Sequence, residues 1–78
     1  LDFLYAELAK RGLRYFPTQA NFCLIDVVRP ADEVFQALLR QGVIVRSMRA
    51  YGYPNYIRLS VGLPEENRRF LKALDAVL

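Results

Sequence analysis

The chain has 78 residues, 54% hydrophobic and 24% charged, with a formal net charge of +3. That length holds a single domain and leaves it marginal in isolation, because a chain this short buries only about 60% of its unfolded surface. The composition excludes a disordered segment. With no histidine and one cysteine, an internal disulfide is excluded, and neither a zinc centre nor a histidine-based catalytic site is expected.

From Leu1 to Arg11, Leu1, Leu4, Tyr5 and Leu8 recur at helical spacing, and Gly12 stands where a left-handed cap ends a helix. The chain opens on a residue other than methionine and directly into this pattern, so a preceding segment is expected. Leu13 to Phe16 is a candidate short extended piece, and Pro17 breaks the chain after it. The apolar run from Ala20 to Val27 reads as a buried strand. Cys23 lies inside it, which suits a small buried hydrophobe better than a nucleophile.

Pro30 fits a first helical turn, with Asp32 and Glu33 complementing the positive end of the helix dipole. Val34, Phe35, Leu38 and Leu39 form that helix's apolar face, and Gly42 ends it. Val43 to Arg46 is predicted as a second strand, Ser47 to Asn55 as a loop, and Tyr56 to Val61 as a third strand with period-two alternation. Leu63 and Pro64 lead into a last helix whose stripe is Phe70, Leu71, Leu74, Val77 and Leu78. The order α-β-α-β-β-α predicts an α+β domain spanning 1–78, with helices on one face of a small, largely antiparallel sheet.

The alternation divides the third strand. Ile57, Leu59 and Val61 point one way, and Tyr56, Arg58 and Ser60 the other. The helices should cover the first set, leaving the second on an open face that meets water or lines an interdomain cleft. Nine arginines and two lysines carry the positive charge, and a planar guanidinium favours bidentate recognition of carboxylate or phosphate. Arg11, Arg40, Arg68 and Arg69 fall on the polar sides of helices and read as solvated charges. Ile44 and Arg46 share one side of the second strand, so Arg46 and Arg58 are the candidates to meet on the open face. The pairing register that would bring them together is not readable from the sequence.

The strings Gly42-Val43-Ile44-Val45-Arg46 and Tyr56-Ile57-Arg58-Leu59-Ser60-Val61-Gly62, then Pro64-Glu65-Glu66-Asn67 and Phe70-Leu71-Lys72-Ala73-Leu74, closely resemble the end of histidinol-phosphate aminotransferases. Thr18-Gln19-Ala20-Asn21-Phe22 is similar to that family's approach to its first small-domain strand. Related aminotransferases and threonine-phosphate decarboxylases share versions of single blocks. Leu63 departs from the pattern, standing where many relatives carry a threonine that caps the helix.

The resemblance implies the C-terminal small domain of a fold-type I, pyridoxal-phosphate-dependent transaminase of histidine biosynthesis. That domain closes over the substrate beside a large domain that holds the cofactor on a lysine. It implies that Arg58 binds the substrate carboxylate and Arg46 the phosphate end of histidinol phosphate. It places no catalytic residue, metal ligand or cofactor-binding residue in this chain, because Lys10 and Lys72 lie on amphipathic helices and read as surface charges. The expected partners are the large domain, a small amino-acid or phosphorylated-amine substrate, and a second copy in a cytoplasmic homodimer, with no nucleic acid and no membrane. Two other classes stay open: a stand-alone binding module using Tyr56 and Arg58, which lacks an aromatic pair on adjacent strands and a lysine-rich approach, and an oligomerisation domain pairing through its uncovered face.

Overall fold

A computed structural model of the chain describes residues 2–17, 21–60 and 62–78. Three helices, α1 (Asp2–Lys10), α2 (Ala31–Arg40) and α3 (Pro64–Val77), cover one face of a four-stranded sheet. Its strands are β1 (Tyr15–Pro17), β2 (Phe22–Asp26), β3 (Arg46–Ser47) and β4 (Tyr56–Ser60), in spatial order β1-β2-β4-β3 with every pair antiparallel. The α+β class and one-sided helical layer match the expectation from the sequence. Of the readings made there, Leu1, Thr18, Gln19, Ala20 and Val61 lie outside the described residues.

The short piece before Pro17 is a true strand: Tyr15, Phe16 and Pro17 pair with Ile25, Leu24 and Cys23. It lies at the sheet edge, where a residue without an N–H is tolerated. The second predicted strand is displaced. Its paired part is Arg46–Ser47, whereas Val43 to Val45 precede it unpaired. Burial explains both the prediction and its error, since Val43 and Val45 are buried and Ile44 is 76% exposed. The alternation is real, but this segment is held by burial of Val43 and Val45 in the core rather than by a ladder with β4. The predicted loop contains a 3₁₀ turn, Arg49–Tyr51, closed by Gly52.

One core joins the layers. Leu4 and Leu8 of α1, Val34 and Leu38 of α2, and Phe70, Leu71 and Leu74 of α3 pack on Cys23, Ile25, Val27, Ile57 and Leu59. Two positions on the expected helix stripes lie outside it: Leu39 and Leu78 are exposed. Gly12 and Gly42 take φ of 69° and 79° just after α1 and α2, so each helix stops where an L side chain would be strained. Pro30 precedes α2 as its N-cap rather than lying in its first turn.

Leu63 is the N-cap of α3 and has no side-chain oxygen to offer the helix. Glu66 supplies the reciprocal half of a capping box instead, its Oε1 accepting the Leu63 N–H at 3.0 Å. Cys23 is fully buried, and burial pushes its thiol up to about 11, as suits an inert core residue.

Candidate functional site

Strand parity sorts the sheet into two faces. Cys23, Ile25, Ile57 and Leu59 are buried beneath the helices, while Phe22, Leu24, Asp26, Tyr56, Arg58 and Ser60 are turned to the open side. The register then decides which open-face residues are neighbours. Arg58 pairs with Leu24 on one side and with Arg46 on the other, so Phe16, Leu24, Arg58 and Arg46 form one row across all four strands. Directly opposed residues in an antiparallel pair hold their Cβ atoms about 4.5–5.5 Å apart. The convergence of Arg46 and Arg58, open in the sequence, is therefore a property of the fold.

Among the described residues, neither guanidinium has a carboxylate within salt-bridge distance or donates a side-chain hydrogen bond. Two like charges directly opposed destabilise a strand pair unless something else holds them. Arg58 is half-buried and lies over the Phe22 ring, its guanidinium carbon 5.2 Å from the ring centroid. Because β2 and β3 flank β4 on opposite sides, this contact draws Arg58 away from Arg46. Arg46 is exposed and borders a cleft of about 550 Å³ between α2 and β3, lined also by Phe35, Gln36, Ile44 and Tyr51.

The end of β3 is anchored by side chains. Ser47 Oγ donates to Asp32 Oδ1 at 2.6 Å, and Arg49 Nη1 to Asp32 Oδ2 at 2.7 Å. The Ser47 hydroxyl first, and the Arg49 guanidinium second, hold the Asp32 carboxyl below its usual range. Asp32 thus fixes the strand that carries Arg46, beyond the dipole role its position suggested.

Aromatic rings occupy part of the open face. Phe16 and Tyr56 stack with centroids 5.6 Å apart, and Tyr53 meets Tyr56 edge-on at 5.7 Å. Phe22 and Tyr56 lie on adjacent strands but at opposite ends of the β2–β4 ladder, so they do not form the side-by-side pair of a base-stacking module. Phe22 and Phe16 were not read as site residues. Their parity was legible, but their nearness to Arg58 and Tyr56 depends on strand order.

Arg11 departs from its expected role as a solvated charge. Its Nε and Nη2 donate to the two oxygens of Asp75 at 2.7 and 2.8 Å, and Nη1 reaches Glu7 Oε1 at 3.1 Å. The guanidinium is raised above its ordinary range, chiefly by the Asp75 hydrogen bonds, and both carboxyls are lowered. Asp75 lies 64 positions from Arg11, beyond any local spacing rule. Arg40, Arg68 and Arg69 are exposed as expected.

Pyridoxal phosphate, which the resemblance implies, requires a lysine amine in an enclosed site. Lys10 is ion-paired to Glu7 on α1 with its side chain 71% exposed, and Lys72 is exposed on α3. Neither faces the open side of the sheet, so the lysines of this chain do not fit that role. No group of three or more His, Cys, Asp or Glu side chains among the described residues is placed to hold a metal. No helix among them is long and apolar enough to cross a membrane.

A family model described as aminotransferase class I and II matches residues 1–74. A histidinol-phosphate aminotransferase of Symbiobacterium thermophilum is 54% identical over 97% of this chain and 21% of its own length. Histidinol-phosphate aminotransferase 2 of Pasteurella multocida is 56% identical over 100% of this chain and 21% of its own length. A crystal structure of a candidate aminotransferase from Burkholderia pseudomallei superposes with a TM-score of 0.84 at 26% identity, covering 99% of this chain and 24% of that one. The chain thus spans about a fifth of the length of the curated relatives it matches. These matches do not establish the C-terminal position expected from the motifs. Nearly the whole chain falls within one family model, its relatives share more than half of its residues, and its fold is superposable on a solved member's: the chain belongs to the aminotransferase class I and II family.

Proposed function

We propose that this chain is the substrate-facing small domain of a pyridoxal-phosphate-dependent aminotransferase that moves an amino group between histidinol phosphate and 2-oxoglutarate or glutamate in histidine biosynthesis. Arg58 binds the carboxylate of the amino-acid substrate, and Arg46 the phosphate end of the phosphorylated amine. The observation that carries this reading is the direct pairing of the two arginines on the face the helices leave open, with no carboxylate of the described residues on either. Like charges held together in that way are stabilised by an anionic ligand. The names of the relatives support the substrate. The cofactor, its lysine and the wall opposite these arginines belong to a larger domain of the same cytoplasmic protein, which acts as a homodimer.

The contribution of this chain is positional. A guanidinium offers a carboxylate two parallel charged hydrogen bonds, which sets the orientation of the molecule as well as its affinity. Histidinol phosphate carries a CH2–O–phosphate arm where glutamate carries its α-carboxylate, so Arg58 faces the base of that arm in one half-reaction and engages the glutamate carboxylate directly in the other.

Single-turnover kinetics of each half-reaction in the full-length protein tests the assignment. Charged hydrogen bonds contribute roughly 1.5–3 kcal/mol each, so Arg58→Ala should lower the glutamate half-reaction by about 10²–10⁴ in specificity. Arg58→Lys should remain impaired, because an ammonium keeps the charge and loses the planar fork. Arg46→Ala should raise KM for histidinol phosphate more than for its unphosphorylated analogue. Equal losses for every substrate would refute the division of roles. If aromatic amino acids or threonine phosphate outrun histidinol phosphate in the unmodified protein, the substrate is one of those instead.

A further inference from the structure

We propose that Phe22 is a positioning residue for Arg58: its ring holds the guanidinium over β2, away from Arg46, and so keeps two separate anion sites where two opposed arginines would otherwise compete for one ligand. The proposal rests on the reading of Arg58 as the carboxylate site. Three observations meet in it. Arg58 and Arg46 are directly paired across β4 and β3. The Arg58 guanidinium carbon is 5.2 Å from the centroid of the Phe22 ring. Phe22 pairs with Ser60 on the side of β4 opposite β3, so a guanidinium drawn to that ring is drawn from its like-charged neighbour.

The chemistry of the support matters as much as its place. Arg11 is held by two carboxylates, and the same hydrogen bonds that fix it occupy the N–H groups a ligand would need. An aromatic face attracts a cation through its quadrupole without accepting a conventional hydrogen bond. The five N–H donors of Arg58 and its full charge therefore remain for a carboxylate. Phe22 is half-buried, with its backbone paired to Ser60 in the β2–β4 ladder, so the ring stands on a fixed strand rather than a loop.

The test is a double-mutant cycle in the full-length protein, read as equilibrium dissociation constants for two unreactive probes, glutarate and inorganic phosphate. Phe22→Leu should weaken glutarate by about 3- to 30-fold, the range of a partly desolvated cation–π contact, and leave phosphate within about twofold. Phe22→Trp, or Phe22→Tyr where the larger ring does not fit, should restore glutarate to within about threefold. In an Arg58→Ala background Phe22→Leu should have no further effect on glutarate, because the group it positions is gone. A structural loss would instead weaken both probes together and would not be rescued by a ring. Equal weakening of both probes, additivity with Arg58→Ala, or failure of both ring variants to rescue would each overturn the role of Phe22. Should Arg58→Ala itself leave glutarate binding unchanged, the carboxylate assignment fails and the positioning role falls with it.

Discussion

Arg11 and Arg58 carry the same group in opposite circumstances. Arg11, between α1 and α3, is saturated by Asp75 and Glu7. Arg58, on the open face, has an aromatic ring beside it and another arginine opposite. An arginine whose donors are filled by the chain's own carboxylates joins two elements. One that is positioned and left without a counter-ion is available to a ligand. Charge alone does not distinguish them, and nor does burial, since both are only partly accessible. The partner does.

The same contrast runs through β4, and the largest expected effect tests it there. Ile57 is fully buried under the helices, so Ile57→Ala should cost about 2–5 kcal/mol in urea unfolding. Ser60→Ala, on the open face, should stay within about 0.5 kcal/mol. Similar costs for the two would mean that the open face is part of the core. Next in size is Leu63→Thr, which would add the missing side-chain half of the α3 capping box beside Glu66. It should stabilise by about 1 kcal/mol, read as a raised unfolding midpoint.

Arg11→Met sharpens the comparison from the saturated side. The pair is partly solvated, with side chains 24% and 55% exposed for Arg11 and Asp75, so the loss at neutral pH should be no more than about 1 kcal/mol. Its pH dependence is the clearer signature. Asp75 and Glu7 have folded-state pKa values below their unfolded ones. Their contribution is therefore present above the ordinary carboxylate range of about 4 and is lost as pH falls through the lowered folded values. The difference between Arg11→Met and the unmodified protein should shrink in acid and leave the binding of glutarate or phosphate unaltered.

The smallest effect addresses the open face. Arg46→Glu places a carboxylate opposite Arg58 in the existing register. It should stabilise the fold by about 0.2–1 kcal/mol, because an opposed like pair becomes an opposite one. It should also weaken both anionic probes. A variant that gains stability and loses binding would show that the unpaired arginines are kept for a ligand at some cost in stability. A loss of stability would show that the native like-charged pair carries no such cost.

The local grammar of the chain was sufficient for much of this. Alternation over Tyr56 to Ser60 divides the strand into a buried and an open set, and that depends only on the two-residue period of a β backbone. Gly12 and Gly42 mark helix ends because the left-handed region is open to glycine. Family membership was legible because several blocks recur in one order, and Arg58 and Arg46, candidates from strand alternation, received their proposed roles through those blocks. Val43 to Val45 show where such reasoning stops. Their alternating burial is that of a strand, but pairing needs a neighbour at hydrogen-bonding distance, and the ladder with β4 begins only at Arg46. The reading of Arg11 as a solvated charge failed for a related reason, since its partner lies at the other end of the chain. The extended piece expected before Pro17 is an edge strand, its pairing supplied by β2.

By itself, then, the sequence determined which strand residues turn inward and where the helices stop, since these follow from backbone periodicity and residue type over a few neighbouring positions. Only the tertiary structure decided that Arg46 stands opposite Arg58, that Phe22 lies beneath one of them and that Asp75 satisfies Arg11. Those relations depend on strand order and register, which are chosen by the packing of the whole core, and a shift of one residue in either strand would turn an arginine to the other face.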